Sequence, residues 1–386
     1  MTWWWILLVL PILWIGIDMI ASIRERRIPA SEFDGPHLCD DFQILVPIYG
    51  RIRFLENVDY LRKYAGRVIL CTTSGETNEF YQQLNAIADS NGFTVFQSAY
   101  SAPKTNKKRR TSGTIRDRVI RDALLSAANK TYVVCLDADT TTTEDLAQLV
   151  GELKHRGDDL ASIRLVPQLV GPSVVQLQRH EYRQSMRMRL LAPWLVSGAC
   201  HVGTTSALRH IMQCHSLFFQ GNDVETGLLG EHLGYRITHI PFEVNTNVPA
   251  TWPAWWRQRL AWSGGEFRLF IANIRYGARH PYLWLYGAFL TIAMVGPRWW
   301  SVTAPTVTLL AVAALYWAMV MWLHWKHRNR WIILMPLYSL VNSLILTPIG
   351  VVWYFVMAVP EKNFGVIRPK FAQSEAPAPA AQNSRL

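Results

Sequence analysis

The chain has 386 residues, a net charge of +11 and 50% hydrophobic residues, enough for one sizeable domain with several apolar spans beside it. Its five cysteines form neither a C-x-x-C pair nor a zinc-ligand spacing, which argues against a zinc finger, and reduced thiols are expected. Bilayer-length apolar runs turn the basic balance toward anionic lipid head groups and away from nucleic acid.

Residues Thr2 to Ile20 are almost wholly apolar, with Asp18 the sole charge. A transmembrane helix needs about 20 such residues, so residues 1–22 are predicted to span a bilayer. Arg24-Glu25-Arg26-Arg27 follows at once. Arginines flanking a span stay cytoplasmic, which places the N-terminus outside and the next domain inside. A cleaved signal peptide is the alternative, but there the basic cluster would precede the apolar run.

From Phe42 to about Tyr276 the pattern is α/β. Phe42 to Pro47, Arg67 to Cys71, Phe93 to Gln97 and Thr131 to Leu136 are short apolar runs rich in β-branched residues. Helix-compatible segments separate them at Asn57 to Lys63, Glu79 to Ser90 and Thr114 to Ala128. Such alternation predicts a mainly parallel sheet whose ligands bind at the carboxyl ends of the strands. The stretch Lys104 to Arg121 gathers Lys104, Lys107, Lys108, Arg109, Arg110, Arg116, Arg118 and Arg121 around Gly113. It suits phosphate recognition, or equally a solvated face toward anionic lipid.

Asp137-Ala138-Asp139 follows the Thr131 to Leu136 run directly. Alternation puts both carboxylates on one side, where they repel unless a cation lies between them. A hard divalent ion shared with diphosphate oxygens relieves that repulsion. The bland alternative is a solvated turn capping a helix near Thr143-Glu144-Asp145. His201 to Arg209 contains a small-residue loop with Gly203 and Thr204, able to admit a sugar ring close to the backbone or to be only a turn. Gly221-Asn222-Asp223 precedes a helix-like stretch, Leu228 to Tyr235, so Asp223 is either an N-cap or a general base. Thr251 to Arg268 combines Trp252, Trp255, Trp256 and Trp262 with Arg257, Arg259 and Arg268. It reads as a helix in a membrane interface, with rings at head-group depth and arginines snorkelling.

The second apolar block, Tyr282 to Met357, holds segments near Leu283 to Gly296, Val302 to Leu323 and Trp331 to Met357. Pro336 and Pro348 make the last one long kinked helix or a tight hairpin. Four or five spans are expected in total, with Trp299, Trp300, Trp322, Trp325 and Trp331 at segment ends. The Ala/Pro-rich tail, residues 371–386, is expected to be disordered.

In order, these residues resemble the membrane-bound synthases of glycosyltransferase family 2, which include cellulose, chitin, hyaluronan and single-enzyme capsule synthases. The resemblance rests on Val46-Pro47, Asp137 with Asp139, Gly203-Thr204 with Arg209, Asn222-Asp223, Gln258 to Trp262, and Phe364 to Arg368 near the end. It implies a cytoplasmic GT-A-like (Rossmann-like) α/β domain at residues 40–250, an amphipathic interface segment at 251–280, and C-terminal transmembrane helices at 281–358. It further implies that Asp137 and Asp139 hold Mg²⁺ or Mn²⁺ and the diphosphate of a nucleotide-sugar donor, with Pro47 beside the donor. Asp223 is then the catalytic base. Gln258 and Trp262 line the acceptor site, with Gly203 and Thr204 as its opposite wall. The acceptor is a growing polysaccharide, or a glycolipid as in ceramide glucosyltransferases. A degenerate paralogue acting as a scaffold is the non-enzymatic alternative.

The chain departs from the family's pattern at two places. The arginine of Q-x-x-R-W is Ala261, leaving Arg259 or Arg257 as substitutes toward the donor. The uracil-reading Asp after the second strand is absent from Cys71 to Glu76, where Thr72 or Thr73 is the available hydrogen-bonding group.

Overall fold

The computed structural model describes residues 16, 19–23, 33, 35–101, 112–167, 171–217, 219–272, 306–325 and 328–361. An eight-stranded mixed sheet organises them, in the order β3-β2-β1-β4-β7-β6-β8-β5. The strands are β1 (Phe42–Pro47), β2 (Val68–Thr73), β3 (Thr94–Ser98), β4 (Tyr132–Leu136), β5 (Thr141–Thr142), β6 (Leu160–Pro167), β7 (Cys200–Thr204) and β8 (Ile237–Thr246). Strands β3, β2, β1 and β4 are mutually parallel, β7 runs against both β4 and β6, and β5 runs against β8.

All six residues of β1 and all six of β2 are buried. Parallel strands read as continuous apolar runs because helices cover both faces. The period of two sends Ile44, Val46, Leu70, Val134 and Leu136 to one face, against Phe80 and Leu84 of α2 (Asn78–Asn91) and Leu149, Val150 and Leu153 of α4 (Leu146–Arg156). Leu45, Ile69, Cys71, Val133 and Cys135 face the other way, onto α3 (Ser112–Ser126) and α6 (Thr205–Cys214). A short helix, α1 (Val58–Leu61), follows β1. All five cysteines are buried and unpaired.

Two further helices flank the sheet: α5 (Ser173–Met188) after β6, and α7 (Asn222–His232) before β8. The tryptophan-rich segment forms α8 (Trp252–Ala272). It crosses α11 (Thr347–Glu361) closely enough that a Cβ on Gly350 would lie 2.9 Å from the Leu260 carbonyl oxygen, and one on Gly264 2.7 Å from the Gly350 carbonyl oxygen. Helices α9 (Thr306–Leu323) and α10 (Met335–Leu340) lie between α8 and α11 in sequence. The stretch Trp331 to Met357 is broken into α10, a π-helical turn at Val341–Leu346 and α11.

Among the described residues, no helix is long and apolar enough to cross a membrane. Helix α9 has no charged residue among its 18 residues. The N-terminal span predicted at 1–22 lies largely outside the described residues. Residues 281–305, Phe364 to Arg368 and the tail lie wholly outside them.

Helix α8 is joined to α7 by a buried ion pair. Arg268 Nη1 donates to Glu225 Oε2 at 2.7 Å, with both side chains fully buried. Burial opposes the Glu225 charge, but Arg268, His215 and Ser216 outweigh it and hold the carboxyl below the usual carboxylate range. A carboxyl depressed in the folded state stabilises above its unfolded pKa, near 4.3, and loses that contribution as pH falls through the folded value. Glu225→Gln strands the buried guanidinium and is expected to cost about 3–5 kcal/mol in urea unfolding at pH 7. The gap from the parent should narrow below about pH 4 as the parent's own carboxyl takes up a proton.

Candidate active site

The Asp137 to Thr140 turn sits where β4 ends, and the chain segment after β1 fastens it. Asn57 Nδ2 donates to the carbonyl oxygens of Asp137 at 3.0 Å and Thr140 at 2.7 Å. The Glu56 and Asn57 amides both donate to the Ala138 carbonyl, at 2.8 and 3.1 Å. Helix α4 is capped by Asp145, whose Oδ1 accepts from the Ala147 amide at 2.9 Å. Asp137 and Asp139 therefore have no capping task there.

Arg116 of α3 reaches this turn. Its Nε donates to Asp137 Oδ1 at 2.7 Å, its Nη1 to Asp117 Oδ1 at 2.7 Å, and its Nη2 to the Gly198 carbonyl. Asp139 Oδ1 accepts from the Thr140 hydroxyl at 3.1 Å. Burial, then the neighbouring Asp137, push the Asp139 carboxyl up to about 6, with Glu56 adding to the effect. A negative charge so disfavoured is one that a divalent cation would stabilise.

Asp223 lies in the first turn of α7, one residue inside the helix, and does not cap it. Its Oδ2 accepts from the Gly198 amide at 2.8 Å. A Cβ on Gly198 would sit 3.3 Å from that oxygen. The turn ahead of β7 thus joins the two carboxylate motifs: Gly198 N–H holds Asp223, Gly198 C=O takes Arg116, and the Ala199 carbonyl accepts from the Asp137 amide at 2.9 Å. The approach to Asp223 is tightly bent. Leu217 (φ 48°) and Phe219 (φ 64°) hold left-handed backbone before Gly221 (φ 84°), a conformation costly for large side chains. Packing enforces it, with the buried Phe219 ring edge-on to Tyr354 of α11 at 5.8 Å. Gly221 also faces Gly265 of α8, whose carbonyl oxygen would be 3.2 Å from a Cβ there.

Helix α8 differs from the expected interface helix in its arginines. Arg259 and Arg268 are buried in ion pairs with Glu181 and Glu225 and do not snorkel. Arg259 Nη2 donates to Glu181 Oε2, Nη1 to Gln258 Oε1 at 2.9 Å, and the guanidinium lies 4.2 Å from the Trp262 ring centroid. Glu181 also accepts from Tyr338, which in turn accepts from Trp255 Nε1 at 2.6 Å. Arg259, placed beside the donor by the sequence reading, is here engaged by Glu181, Gln258 and the Trp262 ring. Trp262 stays 37% exposed, with Tyr182 tilted against it at 6.4 Å. Burial, then the neighbouring Arg259 and Glu181 charges, set the Tyr182 phenol, which is pushed up to about 12.

Other predicted residues divide by sheet end. Register sets Leu45 opposite Cys135 and Pro47 opposite Cys71, so Pro47 and Thr72-Thr73 end their strands on the same edge as Asp137. Thr73 Oγ1 is engaged with Glu76 Oε1 at 2.7 Å, and Glu76 Oε2 accepts from the Gly50 amide at 3.0 Å; Thr72 Oγ1 is buried without a hydrogen-bond partner. Gly203 and Thr204 are at the opposite edge. Thr204 pairs with Tyr132 at the start of β4, about 17 Å of strand from Asp137, and caps α6 through the Ala207 amide. They do not face the carboxylates; Ser197 to Ala199, at the other end of β7, do. Gly198, Glu181 and Tyr182 carried no motif signal. Arg116 stood out only as one of many basic residues, and Lys104 to Arg110 lie outside the described residues.

Residues 132–358, more than half of the chain, match the family described as glycosyl transferase family group 2. The chain belongs to this family. It is therefore a glycosyltransferase, and its α/β sheet is the family's Rossmann-like, GT-A-like domain. Its fold is similar to that of the mannosyltransferase PcManGT from Pyrobaculum calidifontis, solved with GDP-Man and Mn²⁺ (TM-score 0.57, 16% identity, 90% of this chain and 97% of that one). A structure of GalNAc-T7 with UDP, GalNAc and Mn²⁺ shows a weaker likeness (TM-score 0.39, 12% identity, 64% of this chain and 53% of that one). No curated protein sequence matches the chain significantly.

The Asp139 carboxyl near 6 carries a prediction. Cation binding needs the ionised form, so Mn²⁺ affinity measured by titration calorimetry should fall about tenfold per pH unit below 6 and level off above about 7. Asp139→Asn should weaken binding at pH 7.5 and remove that pH dependence.

Proposed function

We propose that the protein is an inverting membrane glycosyltransferase that moves a sugar from a nucleotide-sugar donor, a UDP-sugar first of all, onto a growing polysaccharide. The observation that carries this reading is the Gly198 turn, which brings the Asp137–Asp139 pair and Asp223 into one site. The nucleotide sugar and Mn²⁺ bound by the similarly folded mannosyltransferase support a donor and cation of that class here.

In this reading Asp137 and Asp139 would hold Mg²⁺ or Mn²⁺, and the ion would supply Lewis-acid neutralisation of charge on the leaving diphosphate. Pro47 and the edge at Thr72-Thr73 border the nucleotide. Gly198 N–H fixes Asp223 Oδ2, leaving Oδ1 to take the proton from the acceptor hydroxyl as it attacks the anomeric carbon from the face opposite the leaving group. Trp262, braced by Arg259, offers an aromatic face to the acceptor sugar, with Gln258 as a hydrogen-bonding neighbour. Arg116 supplies fixed positive charge beside Asp137, a role the family's pattern would give to the residue at Ala261.

Exposed apolar side chains support seating at a lipid bilayer. Leu310, Ile333, Leu337, Val352, Val356 and Val359 are each more than half exposed on the C-terminal helices, and Trp252 and Trp256 are exposed on α8. Single large apolar side chains on a surface are ordinary, whereas a helical half rich in them marks contact with lipid or protein. The catalytic domain would then lie on the cytoplasmic side and pass its product outward. The same surface also supports a lipid acceptor, with one sugar added.

The test is nucleoside diphosphate release by the full chain in detergent, with Mn²⁺ and a panel of UDP-sugars and GDP-mannose, followed by sizing of the product. Asp223→Asn should lower turnover about 10²–10⁴-fold while donor affinity stays within threefold. Turnover unchanged by that substitution would remove Asp223 as the base. A product never longer than one added sugar would favour the glycolipid reading over a processive synthase.

A further inference from the structure

Far from the carboxylates of the active site, the last turn of α4 carries a second group of metal-competent side chains. Glu152 and His155 stand three residues apart on this helix and so share a face. His37, from the segment leading into β1, lays its ring on that of His155, with centroids 3.8 Å apart and planes 13° from parallel. The ligand atoms of His37, Glu152 and His155 all lie within 4.8 Å of one another, the one such group among the described residues.

The backbone beneath this group is built for close approach. A Cβ on Gly151 would fall 2.1 Å from the His37 carbonyl oxygen, so the segment can lie on α4 only because residue 151 is glycine. The Cys39 amide donates to the Ala147 carbonyl at 3.0 Å and fixes the same segment one turn further along. Arg156 Nε donates to Glu152 Oε1 at 2.7 Å, while Arg156 Nη1 bonds Thr238 Oγ1 at 3.1 Å and the His239 carbonyl at 3.2 Å. An anchored arginine on one carboxylate oxygen orients the other, as outer partners do around metal ligands.

We propose that His37, Glu152 and His155 bind a late first-row divalent metal ion, Zn²⁺ foremost, as a clip between the segment entering the sheet and α4. Two imidazole nitrogens and one carboxylate oxygen suit Zn²⁺, Ni²⁺ or Cu²⁺, whereas Mg²⁺ takes oxygen donors. Tetrahedral Zn²⁺ with bonds of about 2.0–2.1 Å needs ligand atoms about 3.4 Å apart, a spacing the exposed imidazoles reach by side-chain rotation. Water completes the sphere. Glu152 and His155 stand about 9 and 14 Å along α4 from its N-terminus, which Asp137 and Asp139 precede in the chain. Its effect is on the stability of the sheet's entry segment, not on the reaction.

The experiment is Zn²⁺ titration calorimetry on the chelator-stripped full chain at pH 7.5, with a thermal melt at each endpoint. The expected result is Zn²⁺ binding and a raised Tm, both retained, with one Zn²⁺ per chain, when Asp137 and Asp139 are changed together to Asn. His155→Ala and His37→Ala should each weaken binding by more than about 100-fold, beyond what loss of a mere outer partner costs, and abolish the Tm shift. His155→Cys, which keeps a zinc ligand, should retain both, and far-UV circular dichroism of the apo variants checks that they fold. No Zn²⁺ binding by the parent, or binding unchanged in the two alanine variants, overturns the clip; so does binding lost only with Asp137 and Asp139.

Discussion

The guanidinium of Arg116 is the point on which the active-site geometry turns. It joins its own helix to two other pieces of the chain: Asp137 after β4 and the Gly198 carbonyl ahead of β7, with Asp117 beside it on α3 as a further acceptor. The next atoms along from that carbonyl include the Gly198 amide, which holds Asp223. A planar fork with several fixed donors can set such a junction, and a flexible ammonium cannot. Burying it is tolerable because two carboxylates and a carbonyl meet it; a half-satisfied guanidinium there would cost several kcal/mol.

The same logic recurs in the C-terminal half. Arg259 with the partly exposed Glu181, and Arg268 with the buried Glu225, tie α8 to α5 and α7. The first aims Trp262 and the second fixes the helix that carries Asp223. Close glycine contacts do the rest, Gly264 against Gly350 and Gly265 against the Gln220–Gly221 turn, since backbones approach so near only where no Cβ intervenes. The active site is thus a set of strand ends and helix starts held by a few buried charges. The apolar helices behind it are coupled to the same elements.

Much of this was legible in the amino-acid order, for physical reasons that differ by element. Phe42 to Pro47 and Tyr132 to Leu136 are apolar, β-branched and bounded, so their strands and the Asp137 turn at the second one's end could be read directly. Strand β6 and helix α5 carry mixed sequences whose identity depends on partners distant in the chain, whereas β8 does alternate, with Ile240, Phe242 and Val244 inward, but Pro241 inside the run reads as a break. Gly203-Thr204 could not be placed from the sequence because a small-residue loop looks alike at either end of a strand. Only the antiparallel register of β7 shows that Ser197 to Ala199, not Gly203, reach the carboxylates. The arginines of α8 misled for a related reason: next to tryptophans they resemble an interfacial pattern, and their partners Glu181 and Glu225 lie 78 and 43 residues away.

If Arg116 serves the base by way of Gly198, its contribution must depend on the base being present. The direct measurement is a double-mutant cycle of Arg116→Lys and Asp223→Asn on turnover at saturating donor. Groups acting as a unit are strongly non-additive, so Arg116→Lys should slow the parent at least about tenfold more than it slows the Asp223→Asn background, a coupling of about 1.4 kcal/mol or more. An equal slowing in both backgrounds would mean that the two act independently, and would contradict the junction described here.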